Sequence, residues 1–378
     1  MARRYLVFIL LIIVLAIGLR LPRLDQRPMH GDEAVQAYKF GQLLEENFYQ
    51  YNPIEYHGPT LNYFTLIPAW LGDIHKFKNL NEFTLRIVPI FFGVLLIALL
   101  LLLTNGLGWP TVTIAAILTC LSPAMVFYSR YYIHETLLVC FTFGMIACGY
   151  RYLCSKNVTW ILLAAIFAGL THATKETSII AFGSILLAVL LARAYKNSKS
   201  HHIQLWHLFI ALIIALITSA LFYSSFLTNP KGIADAFCAY SFYLNRADQN
   251  QLHIHPWYYY LKMLIYSKCG DSPIFSEAPI VFLATVGFIT TIKAKKLLSV
   301  DIRLVRFIAF YTLIMTATYC AIPYKTPWCL LGFLQGMILL AAVGFLSLIK
   351  LARTTTAQLI ISLSLIHISE PTRLGMIS

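Results

Sequence analysis

The stretch "YLVFILLIIVLAIGLRLPRLDQRPMHGDEA", Tyr5–Ala34, decides how the rest of the chain is read. An apolar run is followed by basic residues and then by two adjacent carboxylates, Asp32 and Glu33, beside His30 and Gly31. About 20 apolar residues cross a hydrocarbon core. Residues 5–21 therefore read as a membrane span, with the acids just outside it. Arginines ahead of a modest apolar run also fit a signal peptide. The small-residue pattern Ala16-Ile17-Gly18, however, would place cleavage inside the run itself, so an uncleaved anchor is expected.

The same pattern recurs along the chain. Of 378 residues, 59% are hydrophobic and 12% charged, and the mean hydropathy is +0.71. A soluble domain carries about 25% charged residues. Spans are predicted at 5–21, 84–103, 110–127, 135–153, 158–171, 178–192, 205–227, 279–292, 304–322 and 327–349, with another starting near 357. The expected fold class is an all-α polytopic membrane protein, a bundle of about 10–11 transmembrane helices with a long first loop.

Charge sets the orientation. With the N-terminus in the cytoplasm, alternation places 14 basic residues inside against one acid, Asp301, and 14 basic and 14 acidic residues outside. The net charge of +13 thus comes from the inside loops, as the positive-inside rule describes. The basicity is a topology signal. No basic patch with groove-reading or stacking elements accompanies it, so no nucleic-acid partner is expected. The expected location is the plasma membrane, multi-pass.

"LSLIHISEPTR", Leu363–Arg373, looks like a translated sequencing adapter. The reading therefore takes residues 363–378 as a non-native tail and residues 1–362 as one membrane domain cut inside a span.

Polar clusters fall on the outer side of this topology: "HGDEA" (30–34), "EYHGPTLNY" (55–63), "YSRYYIHE" (128–135), "THATKET" (171–177), "HIHPWYYY" (253–260) and "PYKTPW" (323–328). Charged groups in hydrocarbon are costly, so those at span mouths imply a shared watered cavity. Carboxylates and cations beside lipid suit a reaction on an anionic, lipid-borne substrate, with Arg and Lys as phosphate partners. Attack on a sugar held by a polyprenyl phosphate needs one base for the acceptor's proton. The phosphate leaves without a general acid, whereas glycoside hydrolysis uses two carboxylates.

"HGDEA", "YHGPTLNYFTLIPAWLGDI…NEFTLRIVP", "YSRYYIHETLL" and "LTHATKETSII" resemble the GT-C membrane glycosyltransferases, which include protein O-mannosyltransferases and aminoarabinose transferases. "HIHPWYYYL" and "PYKTPW" are similar to a flippase-activity-associated branch known from archaeal glycosylation. The resemblance covers residues 1–350. It implies an extracytoplasmic, inverting transfer from a polyprenyl-phosphate sugar to a protein, lipid or glycan acceptor. It implies Asp32 as the acceptor-activating base, with Glu33 orienting acceptor or base and Glu135 supporting both. Arg130, Lys175 and Lys325 become candidates for the donor phosphate, and His57, His253 and His255 for sugar or phosphate contacts. Fuller family members continue past the last span here, where acceptor specificity is expected to lie.

Each residue has a plainer reading. Asp32 and Glu33 would suit a helix N-terminus, Arg130 among tyrosines an interfacial anchor, and Lys175–Glu176 a local ion pair. "PYKTPW" would suit a turn that leaves Lys325 idle. The spacing of His253 and His255 fits half a metal site, so a divalent cation is a weak expectation, with no other cofactor. Most of the eight cysteines fall in spans, while Cys238 and Cys269 share an outer loop and could form a disulfide. No Walker loop, dinucleotide loop or internal repeat is present. A transporter or flippase for lipid-linked sugars is the alternative to a transferase. Against it, charged residues avoid the span centres.

Overall fold

The computed structural model describes residues 2–53, 57–195, 204–249, 253–268, 276–294 and 300–352, with the side chains of 242–249 left aside. The tail at 363–378, the span expected near 357 and Cys269 lie outside the described residues.

Each of the ten predicted spans within reach is helical. They are α1 (Ala2–Arg20), α4 (Glu82–Leu99), α5 (Thr104–Leu121), α7 (Glu135–Ser155), α8 (Val158–His172), α9 (Ser178–Ala194), α10 (Leu205–Tyr223), α13 (Ala278–Lys293), α14 (Ile302–Ala321) and α15 (Leu331–Leu351). Among the described residues, six helical stretches are long and apolar enough to cross a bilayer, and one of them, Glu82–Leu121, has 40 residues. A straight helix of that length would measure roughly 60 Å, twice the hydrocarbon thickness. The chain breaks instead at Gly108, φ 74°, just before Pro110, so α4 and α5 are separate crossings. The described residues contain no β-strand, only an isolated bridge between Ile254 and Tyr324.

The loops carry helices that span prediction does not find: α2 (Gly31–Glu46) and α3 (Thr60–Leu71) in the first loop, α6 (Pro123–Tyr128), α11 (Lys231–Gln249) and α12 (Tyr259–Ile265). They are amphipathic or short. Exposed Tyr38, Ile67, Trp70, Leu71 and Phe237 lie on α2, α3 and α11, and apolar and aromatic residues favour the interface.

The core forms around α15 and α7, while α1 and α10 expose most of their apolar surface at the rim. In a bilayer, helices associate through close packing of small residues. A Cβ on Gly287 of α13 would lie 2.0 Å from Leu340 O, and one on Gly344 of α15 would lie 2.1 Å from Leu283 O. Arg20 fastens α1 by donating to Thr119 O and Cys120 O at the end of α5 and to Ser129 Oγ.

The helices sort the polar loops by end. At one end, loops 22–53, 57–81, 128–135, 172–177, 253–260 and 322–328 meet through hydrogen bonds and ring contacts, as described below. At the other end, Asp301 N donates to Gly106 O, Tyr152 OH bonds His207 Nδ1, and Arg306 donates to Ala294 O.

Candidate active site

The loop leaving α1 turns into α2 at His30, whose ring accepts from Asp32 N at 3.3 Å. Glu33 closes this capping box by accepting from His30 N at 3.0 Å. The helix-cap reading is thus correct, and Glu33 does much more. Fully buried, it accepts from Arg27 Nη2 at 2.9 Å, Arg86 Nε at 2.9 Å and Tyr132 N at 2.9 Å. Burial pushes its carboxyl up, but hydrogen bonds from Arg86, Tyr132 and His30 and the charge of Arg27 outweigh that and hold it below its usual range. Arg86, itself buried, also donates to Leu24 O and Arg27 O. Glu33 is therefore an ionic clamp joining the first loop, α4 and the 128–135 loop.

Asp32 has the opposite environment. Its side chain is 54% exposed and 3.9 Å from His30 Nδ1. The His30 ring packs beside Tyr131 and edge-on to Trp328 at 5.8 Å between centroids. This brings the Asp32 turn against the "YSRYY" and "PYKTPW" loops. Arg130 lies half-buried in the same knot, with Nη2 donating to Pro22 O at 2.7 Å. Arg27 stacks over the Tyr131 ring at 3.7 Å and donates to Arg130 O. Three arginines around Glu33 leave a local surplus of positive charge (three cations less one anion) beside Asp32.

A second knot joins the first loop to the loop between α8 and α9. Glu176 accepts from Tyr51 OH at 2.6 Å and pairs with His57 Nδ1 at 2.9 Å. Burial raises its carboxyl, yet the charge and hydrogen bond of His57, with Tyr51, bring it down to about 2. The His57 ring packs edge-on against His134, whose Nε2 bonds Gly58 O at 2.9 Å. Burial, followed by the charges of His57 and Lys175, keeps His134 neutral by holding its pKa well below the usual value. A Cβ on Gly58 would lie 2.2 Å from Ala173 O, so only glycine permits this backbone crossing. The local Lys175–Glu176 pairing does not form. Lys175 instead meets Glu135 at the top of α7, and both are buried.

His253, His255 and Lys325 form a third group. Lys325 N donates to His253 O and His255 N to Pro323 O, which zips the two loops together. Lys325 is buried, with Nζ donating to Ile322 O and to His255 O at 3.2 Å. It holds carbonyls here, as a turn residue would. His255 stacks on Tyr259 and His253 packs edge-on to Tyr324. Among the described residues, no three His, Cys, Asp or Glu side chains gather as a metal site.

The sequence reading missed Arg86, Arg27, Tyr51, His134 and Glu277, and gave Glu176 only a local partner in Lys175. Arg86 had a signal, a guanidinium within an apolar run where charge is costly. Glu277 had none. It is buried and accepts from Ser122 Oγ at 2.6 Å and Ala124 N at 2.8 Å at the start of α6. Burial raises its carboxyl to about 7 despite those bonds.

The fold is that of the GT-C membrane glycosyltransferases. Residues 65–222 match the family model described as dolichyl-phosphate-mannose-protein mannosyltransferase. The chain superposes on ArnT from Cupriavidus metallidurans, solved bound to undecaprenyl phosphate, with TM-score 0.72 at 15% identity, covering 95% of this chain and 62% of that one. It superposes on the oligosaccharyltransferase AglB from Archaeoglobus fulgidus, solved in complex with an inhibitory peptide and a dolichol-phosphate, with TM-score 0.65 at 13% identity, covering 97% of this chain and 55% of that one. The chain thus spans under two thirds of the length of these structures. No curated protein matches it in sequence.

Proposed function

We propose that this chain transfers a sugar from a polyprenyl-phosphate donor to an acceptor at the non-cytoplasmic face of its membrane. Asp32 carries the reading: a half-exposed carboxylate whose neighbour, Glu33, is fixed by two arginines. Asp32 takes the proton of the acceptor hydroxyl. The acceptor oxygen bonds to the anomeric carbon, and the bond from that carbon to the phosphate oxygen breaks, its electrons leaving with the phosphate. Attack from the face opposite the phosphate inverts the centre. Arg27 and Arg130 bring positive charge to the same turn, where the phosphate charge grows, while Lys175 is held by Glu135 further along the rim. Undecaprenyl phosphate and dolichol-phosphate in ArnT and AglB support the donor class.

The orientation has its own support. Arg151, Lys156, Arg193, Lys293, Arg303 and Arg306 gather at the opposite end of the bundle with Asp301, as expected of a cytoplasmic face.

The test is turnover of a polyprenyl-phosphate sugar by the reconstituted chain. Asp32→Asn is expected to lower transfer by roughly 10²–10⁴-fold, the usual contribution of a general base, with insertion and thermal unfolding unchanged. Full turnover by that variant refutes the assignment. Movement of labelled lipid-linked sugar across the bilayer without product would favour a flippase.

A further inference from the structure

The stretch from His253 to Lys268 and the 322–328 loop present a surface that the candidate site leaves unused. On its inner side, buried Tyr260 donates to Thr326 O at 3.1 Å, and buried Leu264 follows one turn along α12. The other face of α12 carries exposed Lys262 and Ile265, with exposed Trp257 and Tyr258 just before it and Tyr266 just after. Trp257 is 65% exposed. Ile254 and Tyr324, both exposed, oppose each other in the isolated bridge, so their side chains leave the same side of it. Large apolar and aromatic side chains gathered outside the bundle mark a surface that something covers.

The ends of two crossing helices set the height of this surface. Glu277 N donates to Leu264 O at 2.6 Å and Ser276 Oγ to Ile265 O at 2.6 Å, which holds the end of α12 level with the first turn of α13. Tyr324 lies three residues past Ala321, the end of α14. Helices leave the hydrocarbon at such points, the depth that Trp and Tyr favour. A lysine on such a face can lay its stem on apolar surface and raise its ammonium to the headgroups. Residues 253–268 and 321–328 contain no Asp or Glu to compete for it. We propose that the exposed face of α12, with Trp257, lies in the lipid interface at this end of the bundle, where Lys262 gathers anionic phospholipid headgroups. The partner is the bilayer surface itself. Lys325 N on His253 O and Tyr260 OH on Thr326 O tie this anchor to the loop whose Trp328 packs edge-on against His30, beside Asp32. Lipid contact thereby braces the turn that presents Asp32, a role that rests on the transferase reading, whereas the anchoring does not.

The probes are phosphatidylglycerol and phosphatidylcholine brominated high on their acyl chains, each diluted into nanodiscs of plain phosphatidylcholine that hold the full chain. The emission lost in Trp257→Phe isolates Trp257 from the other tryptophans. Bromine is expected to quench Trp257, and iodide in the water to leave it bright. Brominated phosphatidylglycerol should quench at about one-fifth of the mole fraction that brominated phosphatidylcholine needs, the worth of one lysine at an anionic surface. Lys262→Gln is expected to make the two lipids equivalent, and Lys262→Arg to keep them apart. Iodide quenching without bromine quenching overturns the proposal and leaves the face to a soluble partner. Equal quenching by the two lipids in the wild-type chain, or a preference that survives Lys262→Gln, also overturns it. Thermal unfolding of each variant separates misfolding from lost contact. Headgroup-selective quenching with no sugar transfer would sink the transferase reading alone. Sugar transfer with no bromine quenching of Trp257 would sink the anchor alone.

Discussion

Two neighbouring carboxylates meet opposite environments at the start of α2. Asp32 looks out from the first turn, while Glu33 turns inward to Arg27, Arg86 and the backbone at Tyr132. Removing one partner of a buried ion pair leaves the other unpaired and costs about 3–5 kcal/mol. Glu33→Gln or Arg86→Met is therefore expected to lower the thermal midpoint in detergent strongly, while Asp32→Asn leaves it unchanged. Glu277 gives a pH signature. Its folded pKa of about 7 lies above the ordinary 4.5, so its contribution to stability is full below about pH 4.5 and is lost as pH rises through 7. The loss is on the order of 2–4 kcal/mol. Glu277→Gln can still accept from Ser122 and Ala124 and is expected to flatten that dependence, measured as unfolding midpoint against pH. Glu176 has the reverse sign. Its carboxyl sits at about 2, so its stabilisation holds above about pH 4.5 and fades as pH falls toward 2. Glu176→Gln should remove that acid-side loss.

At the scale of elements, the first loop acts as a strap. Residues 47–53 and 57–60, between α2 and α3, lie across the loop between α8 and α9, held by Tyr51 and His57 on Glu176, Thr60 Oγ1 on Thr174 Oγ1, and the crossing at Gly58. Gly58→Val would push a side chain into the Ala173 carbonyl. The strap should lift, and protease cleavage within residues 47–53 or 57–60 of detergent-purified protein should quicken by about ten-fold, roughly 1.4 kcal/mol of local stability. The bundle should stay assembled, because the packing of α13 on α15 lies elsewhere. The "PYKTPW" turn behaves similarly on a smaller scale, pinned to the 253–256 backbone by Lys325.

At the scale of the whole molecule, the interbonded polar loops sit at one end of the bundle, and the orientation can be measured. Cys154, at the end of α7, and Cys238, on α11, are both exposed and unpaired. A thiol reagent that cannot cross membranes is expected to label Cys238 and spare Cys154 in intact cells, with peptide mass spectrometry as the readout. The reverse pattern would invert the topology. The ten helices at the predicted spans were legible in the sequence because the bilayer demands long apolar runs and internally satisfied backbone, a one-dimensional constraint. The loop helices were not, since their burial depends on what they lie against. Asp32 could be picked out by its place in a motif, and the fold leaves its side chain 54% exposed. The roles of Glu33, Glu176 and Lys325 could not be picked out. A carboxylate beside a histidine, or a lysine in a proline-rich turn, reads the same in sequence whether it faces water or an arginine. Arg86 is 53 residues from Glu33 and Glu176 is 119 from His57, and only the folding of α4 and α8 against the first loop decides that they meet. Sequence alone determined the crossings and the clustering of charge by side, because partitioning into lipid is a local property. Tertiary structure decided which charges are clamped and which stay exposed, because pairing across such separations depends on packing.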